Sequence, residues 1–186
     1  ESGIPIGIEL TGWTLKQIER IDNNWIERFK TLLSTGKCEL IGSGYCQIIG
    51  PLVPYKVNEW NQKLGIETYK EILGCRPNII LVNEMAFSSS LVDLYSSFGY
   101  TGLIMDRDNV RLALGLEDLP INLVPTHAQG PSGAVLPVLW SDSILFQKVQ
   151  HFAHGDIAIN DYLDYLNNRI NNGETLFPVY TNDAEV

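Results

Sequence analysis

Residues 78–84 read Asn-Ile-Ile-Leu-Val-Asn-Glu, a short apolar run that is followed by an amide and a carboxylate. The apolar residues of this run stand side by side and do not alternate with polar ones. Such continuous runs are typical of strands in parallel sheets, where helices cover both faces. We therefore predict a buried parallel strand over residues 78–82, with Glu84 just beyond its carboxyl end.

Similar apolar segments recur on both sides of this strand and alternate with segments of helical periodicity. In residues 15–33 apolar side chains recur at helical spacing, and Asp22-Asn23-Asn24 indicates a break into two helices. Alternation of strands and helices favours a parallel α/β fold. The predicted strands are 4–10, 38–41, 78–82, 102–105, 135–139 and 176–180, and the predicted helices are 15–33, 57–73, 88–98, 143–152 and 157–170.

No phosphate-binding fingerprint accompanies this alternation. The turn Gly42-Ser43-Gly44 lacks a third glycine, because Gln47 stands where that glycine would be, and no Gly-Lys-Ser or Gly-Lys-Thr occurs. The pattern therefore favours a β/α barrel, or part of one, in which functional residues stand at the carboxyl ends of the strands. Residues 107–134 contain three prolines and several glycines, and we predict them to be irregular.

Composition excludes several classes of partner. With 13 Lys and Arg against 22 Asp and Glu, the 186 residues carry a net charge of −9, which argues against binding to nucleic acids or anionic membranes. No apolar run approaches the roughly 18 residues that a membrane span requires. Three cysteines without CxxC spacing indicate a reducing compartment, so we expect a cytoplasmic protein without a disulfide framework.

Carboxylates follow four of the predicted strands. Glu9, Glu84, Asp106 and Asp183 each stand at a carboxyl end, and Glu185 lies two residues beyond Asp183. One such acid alone is more often a solvated loop residue or a helix cap, but their recurrence at one edge of a sheet predicts a shared pocket. Neighbouring carboxylates suit paired acid and nucleophile chemistry, and glycoside hydrolysis is the obvious reaction for two of them.

Aromatic residues follow three of the same strands. Trp13 comes after the first predicted strand, Tyr45 after the second, and Trp140 after the strand at 135–139. Pockets for small ligands are commonly lined by aromatic side chains, and flat apolar faces can stack on sugar rings. Each of these residues, considered alone, is at least as often an aromatic of the hydrophobic core as a ligand contact. The three together favour a sugar-binding pocket.

Several segments resemble, in the same order, conserved segments of glycoside hydrolase family 57. Residues 83–88, with 99–100 and 104–106, resemble the region of the family's nucleophile, and residues 179–185 resemble the region of its acid. Two further segments, 8–13 and 36–45, resemble the family's second-strand segment, and the second is followed by Pro51-Leu52-Val53-Pro54.

The resemblance implies an incomplete (β/α)7 barrel of the glycoside hydrolase and deacetylase type, with a mostly parallel sheet and without the first strand. We expect residues 1–186 to form a single catalytic barrel domain that is truncated at both ends. The implied activity is retaining hydrolysis or transglycosylation of α-linked glucan-type polysaccharide, with no cofactor and no metal. Glu84 is the implied nucleophile and Asp183 the general acid/base. The expected substrate contacts are Glu9, Trp13, Tyr45, Gln47, Asp106, Trp140 and Glu185.

Three positions depart from the family pattern. Gln47 stands where a histidine is usual, and Leu81 and Asn83 stand where a tryptophan and a proline usually precede the nucleophile. These replacements predict altered substrate subsites. They also motivate an alternative hypothesis, a catalytically inactive carbohydrate-binding barrel.

Two further alternatives rest on other residue types. A metal-dependent polysaccharide deacetylase has this kind of barrel and binds its metal through an Asp and two His. His151 and His154 share a helix face and could be two such ligands. Zinc requires a third ligand, and nothing in the sequence places His127 near the pair. Cysteine catalysis would use Cys46 after the glycine-rich turn, although no histidine stands near it in sequence. A buried structural thiol is the more ordinary interpretation of Cys46.

These hypotheses carry geometric expectations. The carboxyl groups of a retaining pair, Glu84 and Asp183, should lie about 5–5.5 Å apart and open onto one cleft. The barrel should be open on one side and expose apolar surface there. The strand residues that we expect to be buried are Ile79, Ile80, Ile104, Val138 and Val179.

Overall fold

The protein is described by a computed structural model over residues 6–108, 112, 115, 125–174 and 178–181. The chain divides into two compact units. The first comprises residues 1–104 and 127–138, and the second comprises residues 105–126 and 139–186.

The described strands form one sheet in the order β1-β2-β3-β4-β6-β5. Strands β1 to β4 are parallel neighbours, whereas β5 and β6 pair antiparallel. A mostly parallel sheet whose strands alternate with helices along the chain confirms the predicted α/β class. The strands are β1 (Ile6–Glu9), β2 (Cys38–Gly42), β3 (Ile79–Leu81), β4 (Gly102–Asp106), β5 (His127–Gln129) and β6 (Val135–Ser141).

The helices follow the predicted segments closely. The predicted break at Asp22 is confirmed, because Asp22 ends α1 and its side chain accepts a hydrogen bond of 3.1 Å from Trp25 N to cap α2. None of the helices in the described ranges is both long and apolar enough to cross a membrane. The helices are α1 (Gly12–Ile21), α2 (Asn23–Ser34), α3 (Tyr55–Leu73), α4 (Ser89–Ser97), α5 (Ser143–His154) and α6 (Ile159–Asn171).

The core of the first unit lies between β2 and the helices α1, α2 and α3. Each of these helices contributes residues of its apolar face, and Tyr69 of α3 is fully buried at the centre. Large side chains of this kind stabilise a fold by about 1.5–3 kcal/mol each through removal from water. The cluster consists of Leu15, Ile26, Phe29, Leu40, Tyr69, Ile72 and Leu73.

The predicted burial of the strands is confirmed at three positions and wrong at one. Ile80, Ile104 and Val138 are buried, and Ile79 is half-buried. Val179 is 39% exposed, and it forms an isolated parallel bridge with Ser141. Burial alternates along β6, so that strand does not have the continuous cover that its apolar sequence predicts.

The prediction of an irregular segment over 107–134 is wrong for residues 127–129. These residues form β5, which pairs with β6 through a turn at 130–134, where Gly130 N donates to Ala134 O at 2.8 Å. Gly133 has a φ of 91°, which residues with side chains rarely adopt. Asp93 of α4 holds the turn by accepting a hydrogen bond of 2.8 Å from Ser132 N.

Candidate functional site

Two buried polar side chains join the carboxyl ends of β2 and β3. Ser43 Oγ donates to Asn83 Oδ1 at 2.7 Å, and Asn83 Nδ2 donates back to Ser43 O at 3.1 Å. Ser43 is 1% exposed and Asn83 is 7% exposed, so water does not compete for these bonds. The pair fixes the residue that immediately precedes Glu84. Asn83, which departs from the family pattern, therefore has a structural role here.

Glu84 stands in a tight turn with an uncommon backbone conformation. Its φ is 53° and its ψ is 18°, and Met85 follows with a φ of 51°. Two central residues with positive φ are typical of a type I′ turn, which Ala86 N closes with a bond of 3.1 Å to Asn83 O. This conformation costs a residue with a side chain about 1–2 kcal/mol. Such strain is characteristic of functional sites, and the Glu84 side chain is exposed.

Gln47 and Glu84 are brought together by the ends of β2 and β3. Gln47 Nε2 donates a hydrogen bond of 2.8 Å to Glu84 Oε1. The expected nucleophile and one expected substrate contact therefore meet in the first unit. An amide that donates to one carboxylate oxygen restricts the rotation of that carboxylate and leaves the other oxygen to a substrate.

The loop that carries Gln47 is held by polar side chains of α3. Asn61 Oδ1 accepts from Tyr45 N at 3.1 Å and from Cys46 N at 2.8 Å, and Asn61 Nδ2 donates to Cys46 O at 3.0 Å. Asn58 Nδ2 donates to Gly50 O at 2.8 Å. These contacts were missed from the sequence, although their signal is visible as a polar stripe at helical spacing on α3.

A close approach of backbones places α3 against the same loop. A Cβ atom added to Gly65 would lie 2.5 Å from the carbonyl carbon of Gly44. No side chain fits in that space, so both glycines are required for the contact. Gly44 also has a φ of 88°.

Tyr69 ties the ends of β1 and β2 to α3. Its hydroxyl lies within hydrogen-bond distance of Leu10 O and, at 3.0 Å, of Gly44 O, and it accepts from Ser43 N at 3.3 Å. Burial raises the pKa of Tyr69 well above its ordinary value, although the hydrogen bond from Ser43 lowers it in part. The hydroxyl therefore stays neutral and keeps its donor role.

Trp13 and Tyr45, two expected substrate contacts, form one aromatic patch. Their ring centroids lie 6.4 Å apart with an edge-to-face angle of 70°, and Trp13 N donates to Tyr45 O at 2.8 Å. Trp13 is 52% exposed, so the patch is open to a ligand. Glu9, also exposed, ends β1 in register with Ile41 of β2.

Two other expected contacts lie in the second unit. Asp106 is buried, at 3% exposure, at the end of β4. Trp140 is half-buried and donates from Nε1 to Pro125 O at 2.6 Å. Asp183 and Glu185 lie outside the described residues, and the predicted separation of Glu84 and Asp183 therefore stays a prediction.

An ion-pair network that was missed from the sequence fills the interior of the second unit. Arg107 Nη2 donates to Asp142 Oδ2 at 2.6 Å, and Arg169 Nη2 donates to the same oxygen at 3.1 Å. Asp142 Oδ1 caps α5. Burial tends to lower the pKa of Arg169, but the hydrogen bond to Glu174 and the charge of Asp142 outweigh it, so the net shift is upward. The network holds α5 and α6 beside the residue that follows Asp106.

The structure also describes the histidines and the cysteine that the metal-dependent and cysteine-dependent alternatives would use. In the described part of the chain, no three His, Cys, Asp or Glu side chains are grouped as metal ligands. His151 Nδ1 lies 3.0 Å from Asp156 Oδ2 on the surface. Cys46 is exposed, so its interpretation as a buried thiol is wrong. Asn61 binds the backbone N and O of Cys46 at this exposed position of the loop.

A sequence profile described as Glycosyl hydrolase family 57 matches residues 1–185. No curated protein sequence matches the chain.

Three solved structures share the fold. The 4-α-glucanotransferase from Thermococcus litoralis superposes with a TM-score of 0.73 at 16% identity, over 96% of this chain and 26% of that one. The α-amylase AmyC from Thermotoga maritima gives 0.54 at 20% identity, over 72% and 25%. A protein from Mycobacterium smegmatis described as a polysaccharide deacetylase gives 0.55 at 16% identity, over 76% and 42%. The chain thus spans about a quarter of the length of the first two structures.

Proposed function

The chain belongs to glycosyl hydrolase family 57, and on that premise we propose that it serves retaining hydrolysis or transglycosylation of an α-linked glucan. The observation that carries the proposal is the 2.8 Å hydrogen bond from Gln47 Nε2 to Glu84 Oε1 at the carboxyl ends of two parallel strands. This edge of the sheet is where barrel enzymes hold their reacting groups. The glucanotransferase and amylase among the structural neighbours support the choice of an α-glucan.

Glu84 is the proposed nucleophile. Its turn is fixed by the Ser43–Asn83 pair, and Gln47 engages Oε1, so Oε2 is the oxygen that we assign to attack the anomeric carbon. A positioned carboxylate of this kind gains its advantage from orientation, because the reacting atoms need to meet within about 3–3.5 Å.

Asp183 is the proposed general acid/base. It protonates the glycosidic oxygen as the bond to the anomeric carbon breaks, while Glu84 forms the new bond and yields a covalent glycosyl-enzyme. Asp183 then removes a proton from water, for hydrolysis, or from a sugar hydroxyl, for transglycosylation. The attacking oxygen displaces Glu84, and two inversions leave the anomeric configuration retained.

The aromatic patch of Trp13 and Tyr45 is the proposed platform for a sugar ring. One rim of this patch carries Lys16, whose Nζ lies 5.9 Å from the centroid of the Tyr45 ring. The further proposed substrate contacts are Glu9, Gln47, Asp106, Trp140 and Glu185, of which Glu185 lies outside the described residues.

Rates on an activated aryl α-glucoside, measured with the full-length protein, test the proposal. Glu84→Ala should abolish formation of the glycosyl-enzyme. Asp183→Ala should still form it, because a good leaving group needs no proton, and azide should then restore turnover with retention. Glu19→Ala, a change at an exposed glutamate of α1, is the matched control and should behave as wild type.

Two experimental outcomes would favour one of the alternative functions over a retaining glycosidase. If wild type, Glu84→Ala and Asp183→Ala share the same residual rate while the protein binds oligosaccharide, the inactive carbohydrate-binding barrel replaces the enzyme. Metal-dependent release of acetate from an acetylated glycan, without glycosidic cleavage, would indicate the deacetylase.

A further inference from the structure

A shallow apolar pocket of about 390 Å³ lies between the loop after β2 and the first turns of α3. Its size is within the range of small-ligand sites. Val57, Trp60 and Leu64 line it from α3, and all three are between 39% and 49% exposed. Ile72 belongs to the same apolar stripe of α3 but is buried in the core. The N-terminal part of the stripe therefore faces solvent.

Trp60 gives this pocket a flat aromatic wall. Its indole is 49% exposed, and Lys63 Nζ lies over one face of the ring, 4.9 Å from the centroid. Single exposed apolar side chains are ordinary on a protein surface, but several that line one pocket are characteristic of a binding site. An exposed indole near the ammonium group of Lys56, which also lines the pocket, offers both contacts that a sugar ring requires, an apolar surface and hydrogen bonds to hydroxyls.

The pocket adjoins the loop of the proposed active site. Cys46 and Ile48 line it, and these two residues flank Gln47, which donates to Glu84. The pocket wall is held in place because Asn61 binds both Cys46 N and Cys46 O. The first turns of α3 also follow the carboxyl end of β2, the edge at which barrel enzymes bind substrate.

We propose that this pocket is an additional α-glucan subsite, in which a glucosyl ring stacks on Trp60 and its hydroxyls accept hydrogen bonds from Lys56, which lines the pocket. The inference rests on the proposed function, because it requires the chain's substrate to be a glucan. A polymeric substrate that reacts at Glu84 extends well beyond one sugar unit, and the pocket beside Gln47 receives a part of it. Long glucans therefore gain binding from Trp60 that short substrates do not.

The test compares a long and a short substrate on the full-length protein. The readout is the ratio of kcat/KM for maltoheptaose to kcat/KM for an aryl α-glucoside. Trp60→Ala should lower this ratio about three- to tenfold, the size of one aromatic stacking contact. Trp60→Leu should lower it similarly, whereas Trp60→Phe should keep most of it. Leu52→Ala is the matched control, because Leu52 is an exposed apolar residue that does not line the pocket.

Each result decides between the two proposals. A ratio that is unchanged in Trp60→Ala overturns the subsite and leaves the proposed function intact. A ratio that Trp60→Leu preserves also overturns it, because an apolar contact with another protein segment tolerates leucine and a stacked sugar does not. A wild-type protein that acts on neither substrate overturns the proposed function and the subsite with it.

Discussion

Gln47 and Glu84 are 37 residues apart in the chain, yet the amide of the first donates a 2.8 Å hydrogen bond to the carboxylate of the second. The bond exists because parallel strands β2 and β3 deliver both residues to the same edge of the sheet. It links a residue that departs from the family pattern to the residue that we assign as the nucleophile.

Gln47→Leu should lower kcat/KM about ten- to a hundredfold, because a hydrogen bond to a charged group contributes about 1.5–3 kcal/mol. Steady-state kinetics on an aryl α-glucoside measures the effect. Gln147→Leu, at an exposed glutamine of α5, is the matched control and should leave kcat/KM unchanged. A Gln47→Leu enzyme with wild-type kinetics would contradict a role for Gln47 in orienting Glu84.

Ser43→Ala should destabilise the fold by about 1–3 kcal/mol, because it leaves a buried oxygen of Asn83 without its donor. Urea unfolding measures the loss. Ser34→Ala removes an exposed hydroxyl that donates to Thr31 O, and it should change stability by less than about 0.5 kcal/mol. Equal stability of the two variants would show that the Ser43–Asn83 pair does not hold β2 to β3.

Glu84→Gly should be more stable than Glu84→Ala by about 1 kcal/mol, although neither should form a glycosyl-enzyme. The reason is the φ of 53° at this position, which glycine adopts without the steric penalty that alanine retains. Thermal or urea unfolding of the two variants makes the comparison. If alanine gives the more stable protein, the backbone at Glu84 is not strained.

Stability should fall as the pH rises above about 10. Burial raises the pKa of Tyr95 to about 12 and raises the pKa values of Tyr69 and Tyr100 as well. Unfolded tyrosines ionise near pH 10, whereas these three stay neutral in the fold, so their contribution is complete below pH 10 and is lost toward pH 12.

Tyr95→Phe checks the direction of this pH dependence. Phenylalanine keeps the packing against Tyr100 and removes one ionising group, so the loss of stability between pH 10 and 12 should be smaller than in wild type. Urea midpoints measured across this range, together with tyrosinate absorption, follow both quantities. A wild-type midpoint that does not change over the range would contradict the prediction.

Much of the sheet was predictable because its strands are continuous apolar runs and its helices have clear periodicity. The break at Asp22 was predictable from a polar cluster that interrupts the helical repeat. In the structure the Asp22 side chain caps the N-terminus of α2, which is why the second helix begins there. The hairpin partner β5 was missed, because its three residues, His127 to Gln129, carry no apolar pattern and depend on β6 for their pairing.

The candidate site was predictable residue by residue but not as a set of contacts. Trp13 and Tyr45 follow different strands, and only the folded chain brings their rings together. The Ser43–Asn83 pair could not be inferred, since both residues are common loop formers and their bond spans 40 residues. Asn61 was missed because a polar residue on a helix ordinarily faces water, whereas here it binds the loop of Gln47.

The most direct test of the central claim, that Glu84 is the nucleophile of a retaining glycosidase, is mass spectrometry of a trapped intermediate. A fluorinated α-glucosyl fluoride that reacts quickly but hydrolyses slowly should leave one glucosyl adduct on the full-length protein. The account predicts that the adduct maps to Glu84 and is absent from Glu84→Gln. An adduct on a different residue, or turnover that inverts the anomeric configuration without any adduct, would contradict it.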